Sequence, residues 1–331
     1  MTAGSLQAVG LAFATTVAVT LGVLYGSRRW RFLDTPNDRS AHSIPTPTMG
    51  GIGISAGVAG GLLMAPVPSE LSHALLAVLG LLLLAVFDDF GQPLGAGRKL
   101  LLQILAAVSW VYLSPATSMQ LIGDWVLPSG PVNWVISVLW LLAMMNVFNF
   151  MDGIDGLTTT QVAAMSLAFA LLLPAGSAMS PVTGVLVAAC VGFLFFNRPP
   201  ARIFMGDVGS LSLGFLVGAM SLYAAGEGLP MWLAAMPLAA YLVDTSYTII
   251  RRLQQGENLL QAHNQHLYQR LVQSGWSHLR VDCAALATTT LFSAAAIFYA
   301  HQAIFPALAC ALAGSSILGI GLLWKERRRR E

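Results

Sequence analysis

The sequence predicts an all-α fold: a polytopic integral membrane helical bundle of about eleven transmembrane helices in a single domain over 1–331, N-terminus outside and C-terminus cytoplasmic. Three observations carry this. The chain is 56% hydrophobic and only 10% charged, where a soluble domain carries about a quarter charged residues. About eleven apolar runs recur, spaced as crossings of a hydrocarbon core about 30 Å thick. All 17 Lys and Arg fall in alternate loops or in the tail, and the positive-inside rule assigns those to the cytoplasm.

The first run, near 5–26, lacks a small-residue cleavage site and is followed by Arg28, Arg29 and Arg31, so it reads as a retained span and not a signal peptide. The second, near 50–66, carries Gly53, Gly57, Gly60 and Gly61, small residues suited to close helix packing. Runs near 73–87 and 99–113 enclose a loop with Asp88, Asp89, Arg98 and Lys99. Further runs lie near 132–148, 158–173, 181–196, 209–225, 230–250, 282–300 and 303–324. Cys190, Cys283 and Cys310 sit inside runs, without metal or redox spacing, and read as core packing. The other basic residues (Arg39, Arg198, Arg202, Arg251, Arg252, Arg270, Arg280, Lys325 and Arg327 to Arg330) keep to the cytoplasmic side. Outer loops carry only Glu70, Asp124 and Glu227.

Chemistry-bearing residues gather on that same side. Asn146, Asn149, Asp152 and Asp155 follow an apolar helix within ten residues, relieved by Gly153 and Gly156. Such a set of hard oxygens suits Mg²⁺ with a polyphosphate ligand. A capping turn would need one such residue, and the spacing of a Ca²⁺ loop is missing. Asp88 and Asp89 close the third run, and Asp207 opens the eighth in Phe204-Met205-Gly206-Asp207-Val208-Gly209-Ser210. Each carboxylate near lipid costs roughly 3 kcal/mol at a helix centre, so five together require a counter-ion. Arg98, Lys99, Arg202 and Arg270 are available to hold phosphate oxygens. Asp244 lies about 10 Å along a helix from Arg251, as either a functional intramembrane acid or one paired for structure.

Asp34-x-Pro36, Arg39-x-x-His42, Pro45-Thr46-Pro47, Gly50-Gly51-Ile52-Gly53, Asp88-Asp89, the 146–157 segment, Phe204-x-Gly206-Asp207-x-Gly209-Ser210 and His263-x-x-His266 occur in order through five loops. Together they resemble the polyprenyl-phosphate N-acetylhexosamine-1-phosphate transferases. The resemblance implies a Mg²⁺-dependent enzyme, with Mn²⁺ as a substitute, in the bacterial inner membrane. Its substrates would be undecaprenyl phosphate and a UDP-N-acetylhexosamine, with UMP released; a homodimer is left open, and nucleic acid is not a partner. Cytoplasmic loops near 27–49, 88–99, 149–157, 197–208 and 251–281 would form the active site. The implied catalytic residues are Asp88, Asp89, Asp207 and His266, and Asp207 and Asn149 resemble the metal-binding positions. Asp152, Asp155 and Phe204 resemble residues of the nucleoside pocket, Phe204 stacking on the base, and Lys99, His263 and Arg270 complete the substrate contacts.

Departures narrow the subgroup. Gln92 stands where the peptidoglycan branch, the phospho-MurNAc-pentapeptide transferases, has Lys, and His263-Asn264-Gln265-His266-Leu267-Tyr268-Gln269-Arg270-Leu271 replaces its run of three His. That form most resembles the initiating transferases of O-antigen and exopolysaccharide synthesis. A transporter, the alternative from another class, would gather its ionisable residues at the midplane. The lipid phosphate is largely a dianion at neutral pH, which favours direct displacement; a covalent intermediate on Asp88 or Asp89 is the alternative. The leucine spacing predicts a helix over Gln261 to Val272, placing His263, His266 and Arg270 on one face as a cationic clamp, or else as a solvated helix on the membrane surface.

Overall fold

The computed structural model describes residues 3–30, 32–36, 44–83, 95–114, 118–123, 125–258, 261 and 263–328. Each apolar run holds a helix. In order these are α1 (Ala3–Trp30), α2 (Gly51–Met64), α3 (Ser69–Leu82), α4 (Ala96–Leu113), α5 (Pro131–Met151), α6 (Leu157–Leu172) and α7 (Ser180–Asn197). There follow α8 (Gly206–Gly226), α9 (Met231–Ala235), α10 (Ala239–Gln254), α11 (Leu267–Gln273), α12 (His278–Ala300) and α13 (Ile304–Arg328). Among the described residues, seven helices are long and apolar enough to cross a membrane, with α9 and α10 counted as one.

Local chemistry sets the ends. Pro131 opens α5 at a position where its missing N–H costs nothing. Gly156 turns the chain into α6 at φ +80°, a left-handed conformation that side chains resist. Pro237, in a single 3₁₀ turn (Met236–Leu238), divides the ninth apolar run into α9 and α10, because proline cannot continue the hydrogen-bond ladder. The all-α expectation also omits two small antiparallel hairpins: β1 (Leu33–Asp34) with β2 (Thr46–Pro47), and β3 (Met119–Ile122) with β4 (Trp125–Leu127). Strands of two to four residues leave too short a pattern to be read.

The centre of the bundle is α8. Of its apolar window 94% is buried, against 11% for α13 at the periphery. A helix apolar all round belongs at the middle, and α8 packs on α2, α3, α5 and α6. Close approach is achieved with small residues: a Cβ on Gly214 would meet Met144 O at 2.6 Å and Met145 Cα at 2.9 Å on α5. Gly51 and Gly209 make a second such crossing, where α2 and α8 start side by side. Gly53 and Gly57 lie against Thr20 and Thr16 of α1, as their small size predicts. Of the cysteines only Cys190 is buried; Cys283 is exposed and Cys310 half-buried, so core packing holds for Cys190 alone.

Candidate active site

Polar residues from seven helices meet where the C-termini of α5, α7 and α10 come together with the N-termini of α4, α6, α8 and α12. At the centre is Asp207, in the first turn of α8. Its Oδ1 accepts from Asn149 Nδ2 of α5 at 2.9 Å, and its Oδ2 pairs with Lys99 Nζ of α4 at 2.5 Å. Asn149 Nδ2 also lies 2.9 Å from Ser210 Oγ, one turn along α8. Three residues separated by up to 108 positions in the chain thus form one contact. Asn146 turns away, donating to Gln103 Oε1 of α4 at 2.7 Å and to Leu142 O.

Around this centre the loops are pinned to one another. Gly50 N donates to Phe204 O, Gly51 N to Met205 O and Phe204 N to Pro47 O, each at 2.8 Å. The Phe204 segment is therefore held against the Pro45–Gly53 stretch. Asp155 is buried; its Oδ2 accepts from Ala201 N at 3.0 Å and lies 3.2 Å from His278 Nδ1. Asn197, at the end of α7, accepts from Gly156 N and Thr159 Oγ1 and donates to Ile203 O. Asp282 accepts from Thr160 Oγ1 and Gln161 Nε2 on α6. His278, which carries no motif, stands beside the motif residue Asp155.

Asp152 caps α5 and is half-buried. Desolvation pushes its carboxyl up to about 7, with a hydrogen bond to Thr158 opposing and the charge of Asp207 adding to the rise. Asp152 therefore carries a proton part of the time near neutrality.

The last loop differs from expectation. Its helix is α11 (Leu267–Gln273), not Gln261 to Val272, because the buried Asp244 carboxylate accepts from Leu267 N at 2.7 Å and Tyr268 N at 3.1 Å and starts the helix there. His266 is the extended residue before it and His263 lies further out, so these two and Arg270 do not share a helical face. The rings of His263 and His266 nonetheless sit 5.0 Å apart. Burial first, then the His266 and Arg252 charges, depress His263 to about 4, so it is neutral near pH 7 and adds no charge to a clamp. Arg270 is 6% exposed, on the buried side of α11. Tyr268 Oη donates to Phe150 O at 2.9 Å, joining this loop to the Asn149–Asp152 segment.

Asp88 and Asp89 lie outside the described residues. Among the described residues no three His, Cys, Asp or Glu converge as a metal cluster. The donors at Asp207 still fit a hard cation that keeps open positions for phosphate, which asks of the protein one or two carboxylates and amide oxygens. Lys99 supplies the positive charge to Asp207 in this arrangement.

Fold and site define a polytopic helical membrane protein with a polar, phosphate-compatible site in one layer of helix ends. The Glycosyl transferase family 4 matches residues 71–225. A "Probable undecaprenyl-phosphate N-acetylglucosaminyl 1-phosphate transferase" of Bacillus subtilis is 29% identical over 287 residues, 83% of this chain and 79% of the relative. A "Decaprenyl-phosphate N-acetylglucosaminephosphotransferase" of Mycolicibacterium smegmatis is 31% identical over 84% of this chain and 76% of the relative. A "Phospho-N-acetylmuramoyl-pentapeptide-transferase" of Gloeothece citriformis is 29% identical over 71% of this chain and 70% of the relative. The chain belongs to this family, the polyprenyl-phosphate N-acetylhexosamine-1-phosphate transferases.

Proposed function

We propose that the protein transfers an N-acetylhexosamine-1-phosphate from a UDP-sugar to undecaprenyl phosphate at the cytoplasmic face of a bacterial inner membrane. This would be the first step of a lipid-linked O-antigen or exopolysaccharide. The observation that carries the reading is the junction of Asp207, Asn149 and Lys99, drawn from three helices to one end of an apolar bundle. A transporter would have no use for carboxylates at helix ends and would need them near the midplane. Supporting the sugar substrate are the two N-acetylglucosamine-1-phosphate transferases among the relatives. Against the pentapeptide substrate stand Gln92 and the His263-x-x-His266 loop.

In the reaction an oxygen of the lipid phosphate bonds to the sugar-bearing phosphorus, the bridge to the other phosphorus breaks, and UMP leaves with that oxygen. The lipid phosphate is already largely a dianion at neutral pH and needs no base, so displacement is direct. Asp207 and the amide oxygen of Asn149 would hold Mg²⁺, with Mn²⁺ as a substitute. Bound there it supplies charge neutralisation for the diphosphate. Lys99, relieved of Asp207, holds phosphate oxygen, and Phe204, Asp152 and Asp155 border the nucleoside. His266, just before α11, and Arg270 on it would approach the phosphates.

The test is UMP release by purified protein with undecaprenyl phosphate, Mg²⁺ and a panel of UDP-sugars. Turnover with a UDP-N-acetylhexosamine, and none with the pentapeptide nucleotide, is expected. Turnover restricted to the pentapeptide nucleotide would assign the chain to the peptidoglycan branch. Exchange of labelled UMP into UDP-sugar without any polyprenyl phosphate would replace direct displacement by a covalent intermediate.

A further inference from the structure

Both oxygens of the Asp207 carboxylate face donors. Lys99, in the first turn of α4, sets its ammonium on Oδ2 at 2.5 Å, and Asn149 turns its amide nitrogen, not its oxygen, to Oδ1 at 2.9 Å. The same nitrogen lies 2.9 Å from Ser210 Oγ. One turn deeper, Asn146 of α5 donates to the buried Gln103 of α4 at 2.7 Å. Gln103 follows Lys99 by about a turn and Asn146 precedes Asn149 by about a turn, so this second rung sets α4 against α5 and keeps the ammonium over the carboxylate.

Each carboxylate oxygen keeps a second lone pair, so Asp207 is not closed to a cation by its hydrogen bonds. The obstacle is charge. Ammonium and carboxylate in contact are already a neutral pair, and a divalent ion on the same carboxylate would lie close to the ammonium and be repelled by it. The side chains of Lys99 and Asp207 are 34% and 23% exposed, so an ion from solution can reach them, and water weakens the repulsion without abolishing it. A diphosphate reverses the balance. It brings negative charge for the ion and acceptors for the ammonium, whose flexible four-carbon stem lets it change partners.

We propose that Lys99 is the resident counter-ion of Asp207 and makes cation binding conditional on the nucleotide: a divalent ion binds weakly at Asp207 until a nucleoside diphosphate draws Lys99 onto its own oxygens. This rests on the reading of Asp207 and Asn149 as cation ligands and adds an order of events to it, since ion and nucleotide then enter together. By linkage the effect is reciprocal: the ion tightens the nucleotide by the factor with which the nucleotide tightens the ion.

Two binding measurements on the full-length protein in detergent test this, and neither needs turnover. In the first, Mn²⁺ is titrated without nucleotide and the free ion is read by electron paramagnetic resonance. Lys99→Gln should bind Mn²⁺ at least tenfold more tightly than wild type, about 1.4 kcal/mol, and adding Asp207→Asn should remove the gain. Lys99→Arg, which keeps the charge, should stay within threefold of wild type. Equal affinity in wild type and Lys99→Gln, or a gain that survives Asp207→Asn, overturns the proposal. Should Lys99→Gln fail to fold, Lys99→Met, which keeps an unbranched stem without charge, carries the same expectation. In the second measurement, binding of labelled UDP, which has a diphosphate but no sugar to transfer, is compared in EDTA and in saturating Mn²⁺. The factor by which Mn²⁺ tightens UDP should be at least tenfold smaller in Lys99→Gln than in wild type; chelation of Mn²⁺ by UDP itself is common to both and cancels. An unchanged factor would show that Lys99 does not link the two ligands. A wild type that meets both expectations yet releases no UMP from any UDP-sugar would sink the transferase reading alone. An active enzyme with equal Mn²⁺ affinities would sink this inference alone.

Discussion

Asp207 is the residue on which the site turns, because it receives Asn149 and Lys99 at once. Removing its charge keeps the shape and loses the electrostatics, so Asp207→Asn should lower turnover at least a hundredfold, about 2.7 kcal/mol of transition-state stabilisation. The elution profile in detergent should be unchanged; a variant that keeps a tenth of wild-type turnover would move the centre of the site elsewhere. Asp152 offers a second measurement with a definite sign. Its folded-state pKa of about 7 stands above the ordinary aspartate value of 3.8, so between those pH values the folded protein binds more protons than the unfolded, and stability falls as pH rises through the window. At pH 8 the ionised, partly buried carboxylate costs up to about 4 kcal/mol at 1.36 kcal/mol per unit, reduced by whatever water reaches it. Asp152→Asn, melted in EDTA, should therefore gain stability over wild type at pH 8 and little at pH 4. A gain at pH 4 alone would reverse the sign. The motif carboxylates were readable because carboxylates are scarce in so apolar a chain. Asn197, His278 and Asp282 were not, since each is a lone polar residue at the edge of a run, and its partner lies 38, 123 or 122 positions away.

At the scale of elements, the apolar runs gave helix positions to within a few residues; the run at 132–148 became Pro131–Met151. What escaped was decided by tertiary contact. The leucine spacing of 260–271 fits a helix, yet a carboxylate from α10 takes the first N–H groups only at Leu267 and Tyr268 and fixes the start there. Asp244 was legible as an unusual acid, but not as the cap of another helix. With α11 so anchored, His266→Ala and Arg270→Ala should each lower turnover at least tenfold, about 1.4 kcal/mol, whereas the exposed Gln254→Ala at the end of α10 should change it less than twofold. Near-normal kinetics in both would return the loop to a structural part. Packing makes a separate demand on α8. Valine at Gly214 would drive methyl groups into the Met144–Met145 backbone, and overpacking of this kind costs about 1–3 kcal/mol. Gly214→Val should lower the melting temperature and weaken turnover in proportion to the folded fraction. An unchanged melting temperature would mean that α5 and α8 separate without cost.

For the molecule as a whole, charge follows architecture. Lys99, Arg198, Arg202, Arg251, Arg252, Arg270 and Arg280 belong to the end that holds Asp207, while the β3–β4 hairpin, without a Lys or Arg in its loop, lies at the other. Peripheral α13 runs from Ile304 to Arg328 and finishes in a basic tail. If basic loops stay inside, both the site and the C-terminus face the cytoplasm, where nucleotide sugars are made, and the lipid phosphate meets them at the membrane surface. A reporter fused after Glu331 should then read cytoplasmic. A thiol placed by Ser118→Cys, exposed beside β3, should react with an impermeant reagent from outside intact cells, measured in a background whose three native cysteines are replaced. Labelling of that thiol only after lysis would invert the bundle. It would put Asp207 and its partners on the side away from their nucleotide substrate, and the transferase reading would fall with the topology, because the same contacts that gather the site into one layer of helix ends prevent it from facing both ways.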